Sequence, residues 1–262
     1  MPLGDRGERP PPVNTSPPVP PRLVVEGLRK AYGGRLVVDG VGFTVGAGRI
    51  HGLRGPKGAG KTTVFRLVAG VERPDAGHIS LDGVALIHEP LHRRARMGLA
   101  YLPQEDTLFG GLTVADNVDI AVEVARSTAT TVELLETVGL AALAAQPVGG
   151  LSGGERRRLQ VARLLALAPR LLLLDEPFAG VDPIAVGALV HLVRAIAARG
   201  VAVLVTDHSV REALSMCDRV TLVDGGTVQV EGTPFEIAAD ARARSRYLGA
   251  DFVLAPPLQE GR

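Results

Sequence analysis

Residues Gly55-Pro56-Lys57-Gly58-Ala59-Gly60-Lys61-Thr62 read G-x-x-x-x-G-K-T, set between a short apolar strand and a run with helical spacing. Small residues in such a loop let successive backbone N–H groups turn inward on a polyphosphate. The helix that starts near Thr62 points its positive dipole end at the same charge. Lys61 is then placed to reach the β- and γ-phosphates and the Thr62 hydroxyl to ligate Mg²⁺, with Thr63 beside it in the phosphate-binding set. A second stretch supplies what a phosphate cradle lacks. Leu171-Leu172-Leu173-Leu174-Asp175-Glu176 is an apolar strand ending in two acids. Asp175 would hold Mg²⁺, directly or through water, and Glu176 would orient and polarise an attacking water. Each feature has a bland counterpart, a Gly-rich turn before a helix or an acidic strand end. Together they describe hydrolysis of a nucleoside triphosphate.

The elements that must position these residues follow from the apolar pattern. Folded character begins at Leu23-Val24-Val25, and Val41, Phe43 and Val45 alternate as in a half-buried strand. Ile79 and Leu81 repeat the alternation before an Asp82-Gly83 turn, which predicts a small, mostly antiparallel sheet beside the cradle with Tyr32 in a loop. Residues 97–102 form another apolar run that ends at Pro103-Gln104. From about 105 to 166 the spacing turns helical. Thr113 with Asp116, and Ser152 with Glu155, read as capping boxes, and Leu134, Leu135 and Val138 recur at helical intervals. Residues 171–174 and 201–205 are continuous apolar runs, as in strands buried on both faces of a parallel sheet. Between them Asp182-Pro183 opens a helix whose Val186, Leu189, Val193 and Ile196 share one face until Gly200, making a βαβ unit. Asp224-Gly225-Gly226 predicts a hairpin, and Thr233-Pro234-Phe235-Glu236 the start of a terminal helix.

A chain of 262 residues buries a substantial core as one large or two small domains. Its 29 Lys+Arg balance 28 Asp+Glu, so no nucleic-acid partner is expected. The single cysteine, Cys217, excludes an internal disulfide and a thiolate zinc site, reads as core packing, and fits a reducing cytosol. Even the richest apolar stretch is broken by Pro169 and Arg170, short of the roughly 20 residues a membrane span needs. Residues 1–21, dominated by Pro with Gly, Arg and Glu, read as a disordered leader rather than a signal peptide.

Leu151-Ser152-Gly153-Gly154-Glu155, ahead of the acidic strand, resembles the signature sequence of ATP-binding cassette (ABC) proteins. The resemblance covers about residues 22 to 250. It implies an α/β fold, a P-loop NTPase of ABC type whose RecA-like core carries an antiparallel β subdomain and an inserted helical subdomain. The ATPase domain would occupy 22–240, with the helical subdomain at about 105–166 and a C-terminal segment at 241–262. By the same resemblance the cofactors are ATP and Mg²⁺, and the catalytic unit is a head-to-tail homodimer. In it, Ser152, Gly153 and Gly154 of one copy close over the γ-phosphate bound by the cradle of the other, residues Gly55, Pro56, Lys57, Gly58, Ala59, Gly60, Lys61, Thr62 and Thr63. Gln104 matches a Mg²⁺ ligand that senses the γ-phosphate, Asp182 a loop linking the two sites, His208 a switch histidine, and Tyr32 the aromatic that stacks on adenine.

One branch of the family fits best, the ATPase of lipopolysaccharide-export transporters. The matching runs are Tyr101 to Glu105, L-S-G-G-E-R-R-R from Leu151, D-E-P-F-A-G-V-D-P-I-A-V from Asp175, and Thr206 to Glu212, with Tyr247-Leu248-Gly249 and Asp251-Phe252 near the end. This implies two transmembrane partner subunits, a place on the cytoplasmic face of the inner membrane, and Phe109 and Leu112 lining the groove that receives those subunits. The ATPase of a branched-chain amino-acid importer is the alternative within the family, and a soluble non-transport ABC ATPase the alternative outside transport. Lys57 stands where this branch usually has asparagine, Gly110-Gly111 where it has a basic pair, and Arg49, His51 and Arg54 flank or occupy a strand that is mostly apolar or acidic elsewhere. Extra cations near the polyphosphate strengthen nucleotide binding, and Lys57 is expected to slow product release. Charges on a buried strand cost stability unless paired.

Overall fold

The computed structural model describes residues 21–207 and 215–248. Two sheets organise them. Strands β1 (Pro21–Tyr32), β2 (Arg35–Gly46), β4 (Ala76–Leu81) and β5 (Val84–Ala85) form an antiparallel sheet in the order β2-β1-β4-β5. Strands β3 (Ile50–Arg54), β6 (Leu99–Leu102), β7 (Leu171–Asp175), β8 (Ala202–Thr206), β9 (Arg219–Asp224) and β10 (Thr227–Gly232) form the second, in the order β10-β9-β3-β8-β7-β6. Its pairs are parallel except β9 with β10, which the Gly225-Gly226 hairpin joins.

Among the described residues, the α-helices of six residues or more are α1 (Lys61–Ala69), α2 (Leu91–Arg96), α3 (Val114–Ala125), α4 (Thr131–Thr137), α5 (Gly153–Leu165), α6 (Pro183–Ala198) and α7 (Pro234–Ala239). The capping boxes read at Thr113, Ser152 and Thr233 are present, with another at Thr130, and Asp182 caps α6 ahead of Pro183.

The apolar runs of β7 and β8 are continuous because both faces are covered. Leu171, Leu173 and Leu204 pack with Phe43 of the antiparallel sheet and with Val64, Phe65 and Leu67 of α1. Leu172, Leu174, Val203 and Val205 enter the opposite core with Leu159 of α5 and Leu189 and Val193 of α6. At about 25 cal/mol per Å² of apolar surface removed from water, this double burial is what holds the central strands in place.

Three expectations meet a different or a fuller outcome. Tyr32 is not in a loop but is the last residue of β1, paired with Arg35, because Gly33 and Gly34 both take positive φ and close a two-residue hairpin. β1 begins at Pro21, paired with Gly46, so the first strand takes in the last residue assigned to the leader; residues 1–20 lie outside the described residues. Of the polar residues around β3, Arg49 and His51 are accommodated individually. Arg49 pairs with Asp218 at 3.0 Å, while His51 stacks on Phe43 at 5.2 Å between ring centroids and shares a 2.8 Å hydrogen bond with Thr221 Oγ1. Burial, then the charge of Arg219, pushes the His51 pKa down to about 4, so the imidazole is neutral in the core.

Candidate active site

Parallel strands β3, β6, β7 and β8 end on one edge of the sheet, the place where open α/β sheets receive ligands. The cradle leaves β3 at Gly55. A Cβ there would lie 1.9 Å from the Val223 carbonyl oxygen, so only glycine lets the chain pass β9 so closely. The loop ends at Gly60, the N-cap of α1, with φ of 97° and no side chain occupying the helix's free N–H groups. Nor is there an acid in the first turn, which leaves the helix terminus open to an anion. Lys61 curls back over this loop and donates to the Gly55 and Pro56 carbonyls, both at 2.8 Å. Burial lowers the Lys61 pKa, and the nearby Glu176 and Asp175 carboxylates partly offset it.

Across the cleft, the β7–β8 register sets Asp175 opposite Thr206. Asp175 is 1 % exposed, and its Oδ1 is a buried oxygen with no hydrogen-bond partner. Burial, reinforced by the Glu176 charge, pushes its pKa up to about 6. The phenol of Tyr101 on β6 is itself driven up to about 12, by burial and then by the charge of Asp175. Glu176 takes the left-handed conformation at φ 50°, held by its N–H to the Thr206 carbonyl at 2.8 Å. Its Oε2 accepts from Gln104 Nε2 at 2.9 Å. Arg157, buried on α5, donates to the Glu176 carbonyl at 3.2 Å, to Pro103 O at 3.4 Å and to Gln160 Oε1 at 3.0 Å. One guanidinium thus ties the residue before Gln104 to the residue that follows the acidic strand.

Lys57, Gly58, Gly60, Lys61, Thr62 and Thr63 of the cradle line a cavity of about 370 Å³ with Gln104, Glu176 and Val37. Gly55, Pro56 and Ala59 complete the loop, and Asp175 sits behind it. Lys57 is exposed and makes no ion pair among the described residues. Tyr32 does not line this cavity; its phenol donates to Glu72 Oε2. The remaining candidates are elsewhere. Ser152 caps α5 through a capping box with Glu155, Gly153 packs on Gly180 in the turn before α6, and Gly154 packs on Val181 and Ala185 at the start of α6. A Cβ on Gly154 would meet Ala185 Cβ at 2.5 Å, so glycine is required by that close approach. Asp182 spends its carboxylate on the Ile184 and Ala185 N–H groups, at 3.1 and 3.0 Å. None of these lines the cleft, and His208 lies outside the described residues. Val37, Tyr101 and Arg157 join the site without having been singled out, because only strand register and helix packing bring them there.

Over residues 38–179, more than half its length, the sequence matches the ABC transporter family. The chain belongs to that family. It is 47% identical over 237 residues to a probable ABC transporter ATP-binding protein of Azorhizobium caulinodans, covering 88% of this chain and 84% of the relative. It is 46% identical over 235 residues to the lipopolysaccharide export system ATP-binding protein LptB of Acidithiobacillus ferridurans, covering 88% and 98%. The LptB of Escherichia coli K12 is 45% identical over 240 residues, with 88% and 99% covered. A nucleotide-free ATP-binding cassette from an ABC transporter shares the fold, at a TM-score of 0.79 and 22% identity, over 87% of this chain and 99% of that one. The chain is therefore an ABC-type P-loop ATPase, an ATP-binding subunit of an ABC transporter. Among the described residues no helix is long and apolar enough to cross a membrane.

Proposed function

We propose that this ATPase powers export of lipopolysaccharide or a related lipid, as a head-to-tail homodimer beneath two transmembrane subunits on the cytoplasmic face of the inner membrane. The observation that carries the reading is likeness at 45–46% identity to lipopolysaccharide export ATP-binding proteins over 98–99% of their length. Co-purification from membranes tests it. Two six-helix membrane proteins with a periplasmic domain support lipid export, and importer permeases would replace it with the branched-chain amino-acid reading.

Within the site, Lys61 and the N–H groups of residues 58–63 bind the β- and γ-phosphates, and Tyr32 stacks on the adenine. Glu176 accepts a proton from the attacking water, and Gln104, bonded to Glu176 in the free protein, exchanges that bond for the nucleotide end of the cleft. The oxygen donors of Thr62, Gln104 and Asp175 suit a hard divalent cation, and the bare, buried Asp175 Oδ1 is the strongest sign of one. Bound Mg²⁺ would neutralise charge developing on the phosphates. His208 is assigned to the γ-phosphate by its place after β8. Ser152 to Gly154 and Asp182 serve the second copy's nucleotide, a reading supported by their absence from the chain's own cleft. Lys57 retains the product; a single-turnover rate equal to the steady-state rate, unchanged in Lys57→Asn, would refute that role.

A further inference from the structure

The segment after α1, residues 70–75, folds over the end of β1 and grips it residue by residue. The Asp75 N–H donates to Arg29 O at 2.8 Å, and Asp75 Oδ2 accepts from the Ala31 N–H at 2.7 Å. Lys30 Nζ donates to Arg73 O at 2.8 Å and pairs with Asp75 Oδ1 at 3.2 Å. At the strand's last residue the Tyr32 phenol donates to Glu72 Oε2, while Glu72 Oε1 accepts from Arg66 Nη1 of α1 at 3.4 Å. The same Lys30 Nζ stands 5.5 Å from the Tyr32 ring centroid. The side chain is nevertheless 43% exposed, so the ring is gripped at its edge and open elsewhere.

From this arrangement we infer that Glu72 is the positioning residue for nucleobase binding, and the inference rests on the reading of Tyr32 as the adenine platform. Glu72 bridges Tyr32 to α1, the helix whose N-terminus carries Thr62 and Thr63 in the phosphate cleft. The distance from ring to cradle is thereby fixed before a nucleotide arrives, with Lys30 over the ring as a cation–π partner. A ring already held loses less freedom when a base stacks on it, and the saving shows as affinity.

The test uses the full-length protein and two ligands, ATP and inorganic tripolyphosphate, which has the phosphates without the base. Glu72→Ala should weaken ATP binding about fivefold and leave tripolyphosphate binding unchanged, and Tyr32→Phe should do the same. The double variant should be no worse than either single one, because either change alone breaks the bridge from Tyr32 to α1. Glu72→Gln keeps an acceptor for the phenol and should recover most of the affinity. Equal weakening of both ligands would overturn the inference, since Glu72 would then support only the loop and α1, and additive losses in the double variant would overturn it as well. Should Glu72→Ala bind ATP normally while Tyr32→Ala does not, Glu72 has no positioning role and stacking survives. Normal ATP binding by Tyr32→Ala would remove the platform itself and the inference with it.

Discussion

The cradle and the start of α5 solve opposite problems. On the cradle side, β3, β7 and β8 are buried along their whole length, and the C-terminal ends of β3 and β7 deliver Gly55, Asp175 and Glu176 to one edge. Groups there are left open or held in uncommon conformations. Asp175 carries a bare buried oxygen, Lys61 answers its own backbone, and Glu176 sits at positive φ. At the start of α5 and of α6 the capping groups are satisfied locally. Ser152 and Glu155 close a capping box, Asp182 caps its own helix, and Gly153 and Gly154 pack against the turn before α6. One half is left open to a ligand, and the other, on the proposed reading, is a stable surface for the nucleotide that a second copy brings. On that reading, open and unpartnered groups belong to the cradle, and locally satisfied ones to the face offered across the proposed interface.

The largest effects break that division directly. Glu176→Gln should retain ATP binding, accumulate as an ATP-bound dimer and lose about 10²- to 10³-fold in turnover, measured by phosphate release and gel filtration. Lys61→Ala and a bulky Ser152→Arg should each be inactive alone for opposite reasons, one lacking its cradle and the other its contribution to the partner. Mixed in equal amounts they should regain about a quarter of wild-type turnover, because half of the dimers are mixed and each of those has one intact composite site. No recovery on mixing would place both halves in one chain's own site.

How much of this contrast could be read from the amino-acid order depends on range. The cradle and the capping boxes are local, each set by residues within eight positions of one another, and the buried strands announce themselves as unbroken apolar runs. Long-range placement is another matter. Arg94, in the strongly basic stretch 91–96, looks like part of a solvated face, yet it is 1 % exposed and donates to the Leu67 and Val68 carbonyls at the C-terminal end of α1. Arg157 stands in a run of three arginines and alone of them holds Glu176 by its carbonyl. Tyr32 reads as a loop residue because Gly-Gly follows it, and only the pairing register shows that the strand continues to the turn. The bond between Gln104 and Glu176 spans 72 residues and depends on β6 and β7 being neighbours.

A second, smaller effect sharpens the idea that the cradle half is costly to assemble. The Asp175 pKa rises from 3.8 to about 6 in the fold, so the native state binds that proton more tightly than the unfolded chain does. Its favourable contribution is complete below about pH 4 and is lost as pH rises through 6, a change on the order of 3 kcal/mol. Asp175→Asn should therefore be more stable than the wild type at pH 7, with the gap closing toward pH 4, while turnover disappears. Urea denaturation of the nucleotide-free proteins at both pH values measures it. His51 titrates in the opposite sense, its depressed pKa withdrawing stability as pH falls from 6.5 through 4, but it is common to both proteins and cancels in the difference. A wild type more stable than Asp175→Asn at pH 7 would mean that the carboxylate is not a burden in the free protein.

The smallest effect separates the two duties of Ser152. As an N-cap it accepts from the Glu155 N–H at 3.3 Å, and Glu155 returns the bond to the Ser152 N–H at 2.8 Å. Losing a serine cap costs about 1 kcal/mol, whereas aspartate caps a helix as well as serine does. Ser152→Ala should thus lower stability by about 1 kcal/mol, and Ser152→Asp should leave it within a few tenths, both read from denaturant midpoints. Turnover should follow the other order. The alanine leaves the helix N–H groups facing the partner's nucleotide and keeps part of the activity, while the aspartate sets a carboxylate against a γ-phosphate and abolishes it. If Ser152→Asp were both stable and active, this helix terminus would be a capped structural end and nothing more, and the division of labour between the two halves would fail at the point where it is most easily seen.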